Sequence, residues 1–447
     1  MLSKVPAGWR RPGVSLAESL AQAVREAVLD GRMRVGDRLP AERRMAAELG
    51  VSRGTVAAAL ARLRAEGWVV TRHGSASRLR LPAEAEERFA PLSADRPGAC
   101  LDLRRAVPAA PGRIYAEAVR RALDRSAGIL KESGEPGPGL PELRELIAER
   151  YTAQGLATLP GQILVTSGAR AALALLTGHL RPRRVVVENP AYVDTLAVLR
   201  RSGVRLAPLR VTTAGWDPAQ LAAAFREAAG GTALLVPDFQ NPTGALMDAA
   251  TRHEVAELAA RHRVTVIADE TMREMDLRDE PRPEPRVRGA VCVGSLSKTV
   301  WGGLRIGWIR APAALVRELL LDPLHGLGGP APMEQLVACE ILPGIGPVLA
   351  RRRAELRGQR DHLVRLLDGG PWTFTVPDGG LALWLRLTRA PGDALVRRAA
   401  ERGLRLLPGS AFSSSGVLGD RLRLPYTVPA ETLGRAVALL REAAQAC

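Results

Sequence analysis

Residues 290–305, Ala-Val-Cys-Val-Gly-Ser-Leu-Ser-Lys-Thr-Val-Trp-Gly-Gly-Leu-Arg, decide how most of this chain is read. The apolar run Ala290–Val293 has the character of a buried strand. After it comes Lys298, one of only three lysines among 63 basic residues; the others are Lys4 and Lys131. Arginine serves solubility and phosphate binding equally well, but its guanidinium does not lose its proton in a protein. A Schiff base needs an amine that loses its proton and attacks an aldehyde. A lysine kept between Ser297 and Thr299 in an arginine-rich chain therefore points to that chemistry. An exposed loop lysine is the plain alternative, and the surroundings decide between them. Gly302 and Gly303 permit a close loop, and Arg305 beyond them supplies a fixed cation.

Outward from this stretch, strand-like runs alternate with helical ones. Ile163–Val165 precedes a helix starting near Ala169, and Arg184–Val187 precedes another around 195–201. Ala233–Val236 and Val264–Ala268 follow. Apolar strands separated by amphipathic helices predict an α/β body with a mostly parallel, doubly wound sheet and sites at the strand ends. From about residue 345 the pattern reads as a smaller α+β domain, with strands at Leu381–Leu385 and Arg421–Leu424. Ser167-Gly168-Ala169-Arg170 opens a helix whose free amides suit a phosphate. Asn241-Pro-Thr-Gly follows one strand and Asp269 ends another. A phosphate cradle, an amine, a ring-facing carboxylate and a second cation are the groups pyridoxal 5'-phosphate requires.

The N-terminal part differs in charge. The chain carries a net +16, and residues 1–82 hold 15 Lys/Arg against 7 Asp/Glu, half of that excess. A basic module on a nearly neutral body suggests a polyanionic partner. Ser15 can cap a helix through Leu16, Leu20 and Val24; Glu42 lies in the first turn of a second helix ending at Leu49-Gly50. Ser52 caps a third, lasting to about Glu66. Two helices joined by a short Gly-containing turn make a helix-turn-helix. Runs 68–71 and 77–81 around His73-Gly74-Ser75 then form a β-wing.

At 447 residues, two or three domains are expected. Domain boundaries are drawn at 1–82 for the DNA-binding domain, 83–100 for a Pro- and charge-rich linker, and 101–447 for the body. Cys100, Cys292, Cys339 and Cys447 lie far apart, without metal-ligand spacing, and read as reduced cytosolic thiols. The N-terminus lacks an apolar signal core, and no apolar run is expected to span a membrane, so a cytoplasmic location is expected.

The N-terminal motifs Leu39-Pro-Ala-Glu-Arg-Arg, Leu49-Gly-Val-Ser-Arg-Gly-Thr-Val, Leu63-x-x-Glu-Gly-Trp and Arg72-His-Gly resemble the winged helix of the GntR family of transcription regulators. The resemblance implies that Arg43, Ser52, Arg53, Thr55, His73 and Gly74 meet double-stranded DNA. Arg53 near a helix start can fork onto a guanine edge, while the hydroxyls meet phosphates. Ala57 stands where the family often has another arginine, which leaves the operator sequence open.

The order Ser-Gly-Ala, Pro-x-Tyr, Asn-Pro-Thr-Gly, Asp, Ser-x-Ser-Lys, Arg and Arg-Leu-x-Tyr is similar to the fold-type I aminotransferases. That resemblance implies Lys298 as the Schiff-base lysine and Asp269 as the partner of the pyridine nitrogen. It also implies Asn241 on the phenolic oxygen and Tyr192 against the ring face. Ser295, Arg305 and the amides of Gly168 and Ala169 would hold the phosphate, and Arg423 an amino-acid carboxylate. Thr271 and Met272 stand where a cofactor-binding tyrosine is usual, and Ser133 replaces another. Weaker cofactor holding is expected in consequence.

A winged helix fused to an aminotransferase-like body resembles the MocR subgroup of GntR regulators. The resemblance implies a homodimeric regulator sensing pyridoxal phosphate or an amino-compound adduct of it. The alternatives are a working aminotransferase with an accessory DNA domain, or a regulator whose body no longer binds cofactor.

Overall fold

The computed structural model describes residues 9–10, 13–29, 33, 36–71, 77–80, 100–134 and 137–445. The chain divides into two units, 1–97 and 98–447.

In the first unit, α1 (Leu16–Leu29) begins where Ser15 Oγ accepts the Glu18 N–H at 3.2 Å. α2 (Glu42–Leu49) ends at Gly50, whose φ of +62° is a left-handed turn that glycine enters without strain. α3 (Arg53–Ala65) follows at once because Ser52 Oγ accepts the Thr55 N–H at 3.0 Å. Loss of such a cap costs about 1 kcal/mol. β1 (Val69–Val70) and β2 (Arg78–Leu79) pair antiparallel as the wing. Leu20, Val24, Met45, Leu60, Leu63, Val69 and Leu79 share one core, so helices and wing fold together. His73 and Gly74 lie outside the described residues, as do residues 83–99 of the linker and Cys447.

The second unit opens with β3 (Leu101–Asp102) and builds one large sheet. Its strands are β4 (Ile163–Thr166), β5 (Arg184–Asn189), β6 (Arg205–Thr212), β7 (Gly215–Trp216), β8 (Thr232–Leu235), β9 (Thr265–Asp269), β10 (Val291–Ser295) and β11 (Gly307–Arg310). They lie in the order β4-β11-β10-β9-β8-β5-β6-β7. The run from β10 through β9, β8 and β5 to β6 is parallel; β11 is antiparallel to both its neighbours, and β7 pairs antiparallel with β6. Val186 and Val266 pack in one apolar cluster, while Val185, Val187 and Ile267 pack in another. Alternate residues thus meet helices on both faces, which is why these strands read as unbroken apolar runs.

The smaller layer holds β12 (Trp372–Thr373), β13 (Ala382–Leu387), β14 (Leu404–Arg405), β15 (Leu407–Pro408) and β16 (Arg421–Pro425). β12-β13-β16-β15 form an antiparallel sheet, and β14 pairs in parallel with β3. Leu103 and Ala106 are buried with Leu383, Leu422 and Leu440. The small subdomain therefore takes in the stretch just after residue 100 as well as the region expected from about 345. Pro332–Leu367 is a helical stretch of 36 residues, long and apolar enough by composition to cross a membrane, where none was expected. Leu336, Val337, Leu356 and Leu363 within it are buried in the two adjoining apolar clusters, as in a core helix.

Candidate cofactor site

Parallel strands expose their carboxyl ends along one edge of a sheet, and helices start there. β4, β9 and β10 end at Thr166, Asp269 and Ser295, beside a cavity of about 430 Å³. Gly168, Ala169, Tyr192, Asn241, Asp269, Ser295, Lys298 and Arg305 all line it. Every residue that the sequence placed on the cofactor is thus brought to one hollow.

At one end, the helix Ala169–Leu180 begins after Gly168, whose φ is +111°. Gly307 on β11 lets this turn come close, since a Cβ there would lie 2.6 Å from the Gly168 carbonyl carbon. The Arg305 guanidinium stands about 3.5 Å from where a Gly168 Cβ would be. A helix N-terminus and a guanidinium side by side make an anion cradle. Burial lowers the Arg305 pKa, with Arg170 and Arg105 adding to the effect, as expected where positive charge gathers. Ser295 borders the cavity, but its hydroxyl donates to the Ile306 carbonyl at 2.9 Å and accepts the Ser297 N–H at 3.1 Å.

Lys298 Nζ donates to the backbone oxygen of Ala106 at 2.9 Å. Burial pushes its pKa down to about 8; the Arg423 charge adds to this and Asp269 opposes it. The neutral amine, the form that attacks an aldehyde, is then a far larger minority near physiological pH than in an ordinary lysine. Burial raises the Asp269 pKa, against the Thr271 N–H that donates to it at 2.9 Å.

Arg423 lies just outside the cavity lining, fully buried. One Nη reaches Asn241 Oδ1 at 3.4 Å, the other bonds the Arg104 carbonyl, and the guanidinium faces the Phe412 and Tyr192 rings at 4.8 and 5.8 Å. Its Nε is buried and has no partner among the described residues. Burial lowers its pKa to about 10. A buried guanidinium with an unanswered N–H suits an incoming carboxylate.

Of the departures, Met272 is buried in the small subdomain's core and borders the cavity, Thr271 lines it, and Ser133 is exposed. Several supporting residues escaped the sequence reading. Buried Glu188 on β5 accepts from Trp216 Nε1, the Val236 N–H and Gln240 Nε2, all at 3.1 Å. Gln240 also holds Thr243, so Glu188 braces the turn that carries Asn241. Glu270, next to Asp269, accepts from Tyr151 Oη at 3.0 Å and Arg286 Nε at 2.7 Å. No local motif marks a carboxylate whose partners lie 16 to 119 positions away.

In the first unit, Arg43 is exposed and Arg53 is 74% exposed, 3.9 Å from Glu42. Both side chains reach solvent, and Arg53 stands at the start of α3, where free backbone amides suit a phosphate. Ser52 and Thr55 hydroxyls share a 2.8 Å hydrogen bond at that start.

Residues 110–440 match the model for aminotransferase class I and II, and residues 16–79 match that for bacterial regulatory proteins of the gntR family. The chain belongs to the aminotransferase class I and II family. Its N-terminal unit is a GntR-type helix-turn-helix, the combination found in the MocR subgroup. The probable rhizopine catabolism regulatory protein MocR of Rhizobium meliloti is 29% identical over 88% of this chain and 86% of its own. The arginine–pyruvate transaminase AruH of Pseudomonas aeruginosa is 32% identical over 67% of this chain and 79% of its own. Among solved structures, the alpha-aminoadipate aminotransferase LysN of Thermus thermophilus, complexed with N-(5'-phosphopyridoxyl)-L-leucine, superposes with a TM-score of 0.71. It is 26% identical and covers 78% of this chain and 93% of its own. The cofactor this aminotransferase fold takes is pyridoxal 5'-phosphate, and the residues around the cavity fit it.

Proposed function

We propose that this chain is a cytoplasmic, homodimeric transcription regulator that binds an operator through its winged helix and senses pyridoxal phosphate, alone or joined to an amino compound, in its body. One observation carries the sensing part. Lys298, with its amine shifted toward the neutral form, shares a cavity with Asp269 and the Gly168–Arg305 anion cradle. In this reading Lys298 would supply the amine for the cofactor aldehyde, Asp269 would serve the pyridine nitrogen and Asn241 the phenolic oxygen. Gly168, Ala169 and Arg305 would hold the phosphate, and Arg423 would receive a carboxylate. When bound, the cofactor supplies an electrophilic carbon and an electron-withdrawing ring. Ligand shifts a regulator only as far as it binds two arrangements differently.

The test is a mobility-shift assay on DNA from upstream of the chain's own gene, with and without pyridoxal phosphate, beside Lys298→Ala. A cofactor effect on affinity in the wild type alone is expected. No cofactor effect in either protein removes the sensing role. Lys298, Asp269 and Arg423 together also favour a second reading, a working aminotransferase. Sustained multiple turnovers with amino-acid and keto-acid pairs would establish it.

A further inference from the structure

We propose that Arg105 selects amino acids bearing a second, negatively charged acid group, so that the body reads a dicarboxylic amino acid. The proposal rests on the cofactor-site reading above and names the ligand class for that site.

Among the described residues, four cationic side chains line the cavity: Arg105, Arg170, Lys298 and Arg305. Three have work that the geometry defines. Arg170 is ion-paired with Asp194, Lys298 bonds Ala106, and Arg305 stands beside Gly168 at the helix start. Arg105 is exposed and makes no hydrogen bond or ion pair among the described residues. An uncommitted guanidinium at the wall of a ligand cavity calls for an anion, which it binds in bidentate fashion.

The backbone on which Arg105 stands is fixed from both sides. Arg423 bonds the carbonyl of Arg104, and Lys298 bonds the carbonyl of Ala106. Leu103 and Ala106 are buried in the small subdomain's core, and β3 just before them pairs with β14. The side chain at 105 therefore starts from an anchored base, whose flanking carbonyls are held by the amine and by the buried carboxylate receptor, and lines the cavity that Lys298 also lines. A ligand joined through its amino group near Lys298, with one carboxylate at Arg423, brings its side chain to the region Arg105 sweeps. A second acid group there meets the free guanidinium; a neutral side chain does not.

The experiment uses the full chain loaded with pyridoxal phosphate and follows the cofactor's visible absorbance. L-glutamate is titrated against L-glutamine, and L-aspartate against L-asparagine, pairs equal in shape and different in charge. A charge-assisted contact gives the acid roughly a tenfold to hundredfold advantage over its amide. Arg105→Gln is expected to bring the acid down to the affinity of the amide, and Arg105→Lys to restore part of the preference. The amide titration reports on folding of each variant. Equal affinities in the wild type, or an intact preference in Arg105→Gln, overturns the proposal. An equal fall in cofactor affinity in Arg105→Gln also overturns it, since Arg105 then serves the phosphate. A cofactor band with no amino-acid response overturns this proposal alone, whereas absence of any cofactor band at any pyridoxal phosphate concentration overturns the cofactor-site reading as well.

Discussion

Lys298 and Arg423 hold the same short segment, Lys298 through the carbonyl of Ala106 and Arg423 through that of Arg104. Each side chain thereby places the other's charge nearby, and Arg423 is the second cause of the lowered Lys298 pKa after burial. Capture of the cofactor aldehyde needs the neutral amine. Its rate is expected to rise with pH through a midpoint near 8, well below the ordinary lysine value of 10.5. Stopped-flow absorbance across this range checks it, and a midpoint near 10 would contradict the buried, charge-crowded amine. Lys298→Arg keeps the charge and is expected to show no lysine-bound cofactor band.

Glu188 presents a different acid–base problem. Burial pushes its pKa up to about 8, with the charge of Asp269 adding to the rise, although three N–H groups point at the carboxylate and pull the other way. A raised carboxyl pKa means the folded chain keeps a proton that the unfolded chain has released. Its contribution to stability is complete below the ordinary carboxyl value of 4.5 and is lost as pH rises to 8. Glu188→Gln removes this slope but turns an amide N–H toward Gln240 Nε2, donor against donor. The expected cost is about 1–3 kcal/mol. Denaturant unfolding at several pH values measures both, and an unchanged pH slope would show that Glu188 is ionised throughout.

The sequence made much of this legible because the chemistry sits in contiguous motifs. Gly168-Ala169 at a helix start, Asp269 at a strand end and Lys298 three residues beyond β10 are local signals, and all reach the cavity. What escaped was non-local. β6 carries Pro208, which argues against a strand until its pairing partners are known, and β11 is four residues long and starts with Gly307. The docking of β3 onto β14 joins residues about 300 positions apart, so the small subdomain could not be bounded from sequence. Arg105 has no motif at all; only its place between two anchored carbonyls singles it out.

Arg423 is expected to act on the amino compound more than on the cofactor. Its two Nη groups already serve Asn241 and Arg104, while the buried Nε has no partner among the described residues. Arg423→Lys keeps a positive charge but cannot make the paired contact. Amino-acid affinity is expected to fall roughly tenfold to a hundredfold, the range for charge-assisted bonds, while cofactor absorbance persists. Loss of the cofactor band in this variant would instead assign Arg423 to holding the Asn241 turn.

On the winged helix, Arg53 and Arg43 are expected to fail differently. Arg53 is the first residue of α3, largely exposed and, among the described residues, held only by a 3.9 Å contact to Glu42, so it is free to fork onto a base edge. Arg43, in the first turn of α2, is exposed and suits a phosphate. Arg53→Ala should cost about 1–3 kcal/mol on the operator and little on unrelated DNA. Arg43→Ala should weaken both alike and lower the slope of log affinity against log salt by about one. Binding isotherms on operator and scrambled DNA at several salt concentrations separate the two. If Arg53→Ala weakens both DNAs equally, α3 reads the backbone at that position, and base recognition must come from another residue of the helix.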